Sequence, residues 1–342
     1  MRYYEIVINT PTIGGQIGAT YTYSSQQNLV DNYSCLRINL DVYQRPYHQP
    51  SNNSHIKIWG VDLKDLNKSA NFNPVVDKSG RNIAFSSIQV KVGMSKGLPY
   101  ANPQEQGVIA KGSILQSFAT WQGVEVGLDL ILIPSVVDPN DQQNITVVWE
   151  NGKELTDIIT TALQNAYKNP DGSPVNVYGS FSKGLKYTEN TQAQYFDLYS
   201  LSSSINNISK NIVKNPAYTG ATITSTNKGF YLSDSGLTPQ STKQIVFTDV
   251  IGNLTWIGIA KISAKVIMRG DLNVGDYISF QAGIPVTNII NNQSQFRNNI
   301  SFQGVFFITS LRHVGDSRSS SGDAWATIIE AVMPNTPYTE VI

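Results

Sequence analysis

Between Ile251 and Met333 the chain reads as short β-strands broken by tight Gly-Asp turns, and this punctuation limits the fold more than any other feature. Ile251-Gly-Asn-Leu-Thr-Trp256-Ile-Gly leads to a strand through Lys265-Val-Ile-Met-Arg269 and then to Gly270-Asp271. Val274-Gly275-Asp276 precedes a strand from Tyr277 to Phe280, followed by an Asn-rich loop and a strand from Gly304 to Leu311. His313-Val-Gly315-Asp316 then reads as a turn, and after a Ser/Gly loop a last strand starts at Trp325. Glycine adopts backbone conformations closed to other residues, and an Asp side chain accepts backbone N–H groups in a turn. Asp271, Asp276, Asp316 and Asp323, each following a glycine, are therefore expected in turns rather than as carboxylate pairs for glycoside hydrolysis.

The N-terminal part, to about residue 134, is also β in pattern. Tyr3 to Asn9 alternates, and so does the next clear strand, with Leu36, Ile38, Leu40 and Val42 on one face and Arg37, Asn39 and Asp41 on the other. His55 to Gly60 alternates too, and Val61 to Asn67 reads as a short helix after it. Ser87 to Val92, Gly107 to Phe118 and Gly123 to Ile133 complete an antiparallel set. Short strands at this spacing favour a barrel or sandwich.

The middle is different. Pro134 to Asn144 is a polar linker, and Ile145 to Trp149 is a strand. From Lys153 to Tyr167, Leu155, Ile158, Ile159, Ala162, Leu163 and Ala166 form one helical stripe. Asn151 is a candidate cap for its start, and Asn169-Pro170 a stop. Asp197 to Lys210 is a second, Ser-rich helix candidate with Leu198, Leu201, Ile205 and Ile208 on one face. Residues 135–215 thus read as a small α/β domain, and the chain is β again from about 228.

Composition excludes several classes. Hydrophobic residues make up 40% of the 342, enough for a folded core, while charged residues are only 15% and the net charge is zero. Such a chain has no long-range field to draw it to nucleic acid or to an anionic membrane. No apolar run reaches the roughly 18 residues of a membrane span; the longest, Leu128 to Pro134, suits a buried strand. The N-terminus reads as a strand start, not a signal peptide. Cys35 is the single cysteine, so neither a disulfide framework nor a cysteine metal site is available.

Few residues suggest chemistry. His48, His55 and His313 are widely separated, with no metal-ligand spacing. There is no Gly-x-Ser-x-Gly elbow. Ile13-Gly-Gly-Gln-Ile-Gly18 lacks the Lys-Ser/Thr of a phosphate loop. Arg269-Gly-Asp271 matches a cell-adhesion tripeptide in letters, but a turn between strands explains it. Tyr3, Tyr4, Tyr21, Tyr23, Tyr43 and Tyr47 cluster near the N-terminus and suit either a sugar-binding platform or ordinary strand packing. The residues thus nominate no catalytic, cofactor-binding or metal site.

Two stretches carry a resemblance. One is Leu36-Arg-Ile-Asn-Leu … Ile56-Lys-Ile-Trp59-Gly-Val61 … Leu66, a strand ending in Trp and leading into a short helix. The other is the C-terminal pattern described first. Together, over about half the chain, they resemble phage baseplate hub proteins, related to the hubs of contractile tails and to the hub portion of type VI secretion spikes. The resemblance implies a mainly β chain with an α/β insert (α+β), in which two tube-type antiparallel β-barrels, 1–134 and 216–342, flank a small α/β domain at 135–215. Thr10 to Asn32 and Asn288 to Asn299 have no counterpart in that pattern.

It implies further a non-enzymatic virion protein of the tail baseplate, assembled in the host cytoplasm without cofactors. Three copies would form a ring of pseudo-sixfold symmetry, adapting a sixfold tail tube to a threefold central spike and forming part of the genome-delivery channel. Its partners would be further copies of itself, the tail tube protein, the central spike protein, other baseplate proteins and the tape measure, with DNA passing transiently. The edges exposed by two β regions, a liability in a monomer, would be covered by neighbours. The rival readings are a β-rich receptor- or carbohydrate-binding tail adhesin, which needs an exposed aromatic platform, and a polysaccharide-degrading enzyme, which needs convergent carboxylates.

Overall fold

The computed structural model describes residues 2–334, apart from 12–17, 29, 50–53, 68, 81, 96–101, 134–143, 169–171, 216–217, 227, 237–240, 259, 282–301 and 303. Nearly all of the Pro134–Asn144 linker, the Asn169-Pro170 stop, the Asn-rich loop at 288–299 and most of the Ile13–Gly18 segment lie outside the described residues. The protein is mainly β, with its two long helices confined to the middle of the chain. No helix among the described residues is long and apolar enough to cross a membrane.

One thirteen-stranded sheet runs through both β-rich parts of the chain. In the N-terminal half, Arg2–Asn9 pairs antiparallel with Thr20–Ser24 on one side and Ser87–Met94 on the other. Order then continues through Gly107–Gln122, Glu125–Ile133, Ser54–Trp59 and Arg37–Gln44. The alternation read in the sequence sets which face is buried: Ile38, Leu40 and Val42 point inward, as do Ile56 and Ile58 from the neighbouring strand. They share one core with Tyr4, Ile6 and Ile8 of the first strand. The sheet is therefore rolled, because strands from both ends of this half meet over one core. The hydroxyl of Tyr4 donates to the carbonyl of Leu36, tying the first strand to the approach of Arg37–Gln44.

Arg37–Gln44 also pairs with Val305–Asp316, which belongs to the C-terminal half. Beyond this strand come Trp325–Val332, Lys261–Ile267 and finally Thr255–Gly258, with Tyr277–Phe280 and Thr242–Ile245 on a side branch. Ile262, Val266, Ile278, Phe306, Ile308 and Ile329 are fully buried in this second core. Two residues of the C-terminal half, Met268 and Trp325, are buried in the N-terminal core instead. The Trp325 indole N–H donates to the carbonyl of Gly93 at 2.9 Å.

His313-Val-Gly315-Asp316 is not a turn, as the sequence suggested, but the end of the long strand Val305–Asp316. The cause is the missing side chain at Gly315: a Cβ there would lie 2.4 Å from the Trp325 ring, so only glycine lets the indole cover the strand. The chain reverses afterwards, within 317–324.

A third core is built around the helices Leu155–Ala166 and Leu198–Val213. The stripe Leu155, Ile158, Ile159, Ala162 and Leu163 is buried as its period requires. Glu154, not Asn151, occupies the cap position of the first helix; the Asn151 N–H bonds the Asn190 side chain instead. The second helix ends at Val213 rather than Lys210, and Asp197 and Ser200 form a reciprocal capping box at its start. Buried residues up to Leu232 take part in this core, supplied by the antiparallel strands Thr222–Thr226 and Gly229–Ser233.

Candidate functional site

The seam where Arg37–Gln44 meets Val305–Asp316 pairs six residues with six, from Gln44↔Leu311 to Asn39↔Asp316. Residues in register across neighbouring strands share a face. Phe118, Asp129, Lys57, Asn39 and Asp316 therefore form one row spanning five strands on the outward side of the sheet, with Asp129 buried against His55 and Lys57. Tyr43, Arg312, Ile328 and Lys265 form another row beyond the seam. The outward face is thus continuous from one half to the other.

Five of its cations are neutralised in place. Arg37 grips Asp316 through two hydrogen bonds, at 3.1 and 2.7 Å, and Arg312 grips Asp41 at 2.8 and 2.7 Å. Lys57 is 3.3 Å from Asp129, Lys261 2.7 Å from Glu330, and Lys265 3.0 Å from Asp323. Planar guanidiniums suit such forked pairing with carboxylates. Aromatic rings support the same groups: Lys57 lies 4.0 Å from the centre of the Trp59 ring, and Arg312 5.0 Å from that of Tyr43. Burial opposes ionisation of Asp316, but its bonds to Arg37 and the Arg318 N–H outweigh this and hold its pKa below the ordinary carboxylate value. Glu330 is held low in the same way by Lys261.

A second ionic cluster is built around a buried arginine. Arg269 is 4% exposed and bonds Asp271 at 2.8 and 3.0 Å. Glu105, from the N-terminal half, and Asp249 approach it at 3.4 and 3.6 Å. Desolvation raises the pKa of both Glu105 and Asp249 despite the arginine. The two backbones cross closely here: the N–H groups of Gly270 and Asp271 both donate to the Glu105 carbonyl, and a Cβ on Gly107 would sit 2.1 Å from the Gly270 oxygen. Arg269-Gly-Asp271 is therefore a turn, as its sequence suggested, and its arginine is buried rather than presented to a receptor.

The structure disperses the other sequence candidates. His55 bonds Asp129 on the outward face at 2.9 Å, while His313 is fully buried against Thr327 at 3.0 Å. His48 follows the strand Arg37–Gln44, beside Tyr47 that packs against the middle core, and burial and Lys210 lower its pKa to about 4. Among the described residues no group of three His, Cys, Asp or Glu could hold a metal ion. Asp271 and Asp276 both lie near Lys243, at 4.0 and 2.7 Å, whereas Asp316 and Asp323 have their own separate cations. Asp276 accepts the Asn273 N–H and Asp316 that of Arg318, the turn bonding expected of them.

The N-terminal tyrosines make no platform. Tyr3 and Tyr4 are buried, Tyr21 packs edge-on against Phe72, and Tyr47 packs into the middle core. The exposed aromatic and apolar residues lie elsewhere, with Trp121 67% and Val124 97% exposed at the tip of the hairpin Gly107–Ile133. Sequence reasoning missed this tip, although the pair Gly123-Val124 between two apolar-rich strands is a legible hairpin turn. It also missed the seam, whose partners lie some 270 residues apart, for example Asp41 and Arg312.

No family model matches the chain, and no curated protein does either. Several solved structures are similar to it at low identity. The prophage MuSo2 43 kDa tail protein from Shewanella oneidensis is 11% identical with a TM-score of 0.48, covering 96% of this chain and 97% of that one. A tail protein from Neisseria meningitidis MC58 is 10% identical with a TM-score of 0.43, covering 96% of each chain. A chain of the Francisella PdpA-VgrG complex is 11% identical with a TM-score of 0.35, covering 98% of this chain and 53% of that one.

Proposed function

We propose that this chain is a structural protein of a phage-type tail, a homotrimeric baseplate hub between the sixfold tail tube and the threefold central spike. The observation that carries the proposal is the single sheet that joins two β-rich halves through one seam and presents one continuous outward face. Three such chains supply six β units to a ring, the arrangement implied by the Leu36–Leu66 and Ile251–Met333 patterns. On this reading the first barrel is 1–134, the α/β insert 135–215 and the second barrel 216–342.

The outward face would line the channel. A polyanion is retained by cations that release counterions. Here Arg37, Lys57, Arg312, Lys261 and Lys265 already have carboxylate partners, so passing DNA finds little to hold it. The protein has no catalytic task on this reading. Its partners are other copies of itself, the tail tube protein, the central spike protein, other baseplate proteins and the tape measure, in the virion tail after assembly in the host cytoplasm. The adhesin reading lacks comparable support, since Tyr3 and Tyr4 are buried and Tyr21 and Tyr47 pack against other groups.

The test is negative-stain imaging of the purified protein, with glycan-array binding measured in parallel. Rings with a central hole and near-sixfold outline support the hub. Single particles without rings, together with glycan binding, contradict it.

A further inference from the structure

The strand Gly107–Gln122 is sixteen residues long, but its two neighbours overlap along it only at Ser113. Ser87–Met94 pairs with it from Gly107 to Ser113 and no further. On the other side Glu125–Ile133 pairs with it from Ser113 to Gln122. Among the described residues, no strand pairs with the remaining edge of Leu115–Gln122. One N–H on that edge, that of Ser117, is met by the Asn73 side chain at 2.6 Å.

Proteins protect open strand edges with charges, proline or distortion. Leu115-Gln-Ser-Phe-Ala-Thr-Trp-Gln122 has no charge, no proline and no glycine, and it exposes Phe118 and Trp121. At the far end of the same sheet, in the C-terminal half, Thr255-Trp-Ile-Gly258 forms a second uncharged edge with Ile257 exposed. Neither edge repels the other. The flanking charges are complementary: Glu125 lies across from Gln122, and Lys261 across from Gly258.

We infer that these two edges are the assembly contact of the ring, with Leu115–Gln122 of one copy adding as a strand beside Thr255–Gly258 of the next. The assignment rests on the homotrimeric reading above and names the surface that makes it. Within a copy the N-terminal half meets the C-terminal half at the Arg37–Gln44 seam. In a closed ring each N-terminal half must also meet the C-terminal half of a second copy, so the contact is heterologous and joins two different edges. Backbone pairing with flanking aromatic contacts is the chemistry of strand addition.

Two experiments test it together. Trp121→Lys places a charge on an exposed edge residue, so the chain should fold with an unchanged circular dichroism spectrum while native mass spectrometry reports loss of the trimer. In a Cys35→Ser background, Ala119→Cys with Ile257→Cys should give covalent trimers on mild oxidation, and either cysteine alone should not. A wild-type trimer that survives Trp121→Lys and yields no cross-link overturns the edge assignment and leaves the ring reading standing. A wild-type chain that stays monomeric at every concentration overturns both.

Discussion

The buried Arg269 holds three carboxylates, of which Asp249 is buried and Glu105 and Asp271 are partly buried, and this excess of negative charge has a consequence at neutral pH. Desolvation raises the pKa of Asp249 and Glu105 in the folded chain. A carboxyl whose folded pKa exceeds its unfolded one favours folding below the unfolded value and disfavours it as pH rises through the folded value. Asp249→Asn should therefore stabilise the chain at pH 7, by up to about 1 kcal/mol, with the gain fading in acid; urea midpoints at several pH values measure this. Arg269→Met should do the opposite, costing about 3–5 kcal/mol at neutral pH, because it strands the buried Asp249 and the partly buried Glu105 and Asp271.

His313 responds in the other direction. Burial lowers its pKa from 6.5 to about 3, so the unfolded chain takes up a proton first as the solution is acidified. Its contribution to stability is complete above about pH 6.5 and declines towards pH 3. Thermal melts of the wild type and His313→Gln from pH 7.5 to 4.5 should show a steeper acid loss in the wild type. Equal slopes would mean that the imidazole is not the group being titrated.

At the scale of elements, the alternation of Leu36, Ile38, Leu40 and Val42 and the helical stripe from Leu155 were legible because each period reports one buried face. The second helix was less legible. Its stability comes from the Asp197–Ser200 capping box and from packing, not from the propensity of its many serines and asparagines. Asp197→Ala should cost about 1 kcal/mol and fray the first turn, visible as faster amide exchange near Ser200. The His313–Asp316 turn was misread because Gly-Asp, usual in turns, is required here by the Trp325 ring over Gly315. Nothing in the local sequence reports a neighbour that is brought in by the fold.

At the scale of the molecule, the same limit explains why two β regions were readable but their union was not. The seam pairs residues about 270 positions apart, and a period of two says which face is buried, not which strand lies alongside. The candidate surface was legible only as a deficit of charge; its ion pairs are a product of register. The union also makes the halves interdependent. Met268 and Trp325 complete the N-terminal core from the other half, so residues 1–133 alone should expose a cavity and an unpaired Arg37–Gln44 edge. That fragment should be insoluble when expressed by itself and recovered when co-expressed with residues 144–342. Independent folding with a sharp melting transition would contradict this.

The central claim, a ring of three chains each contributing two β halves, is tested most directly by native mass spectrometry of the purified protein across a concentration series. The account predicts a dominant species of three times the 37.6 kDa chain mass. A single-chain mass at all concentrations, or a stable dimer, would contradict it.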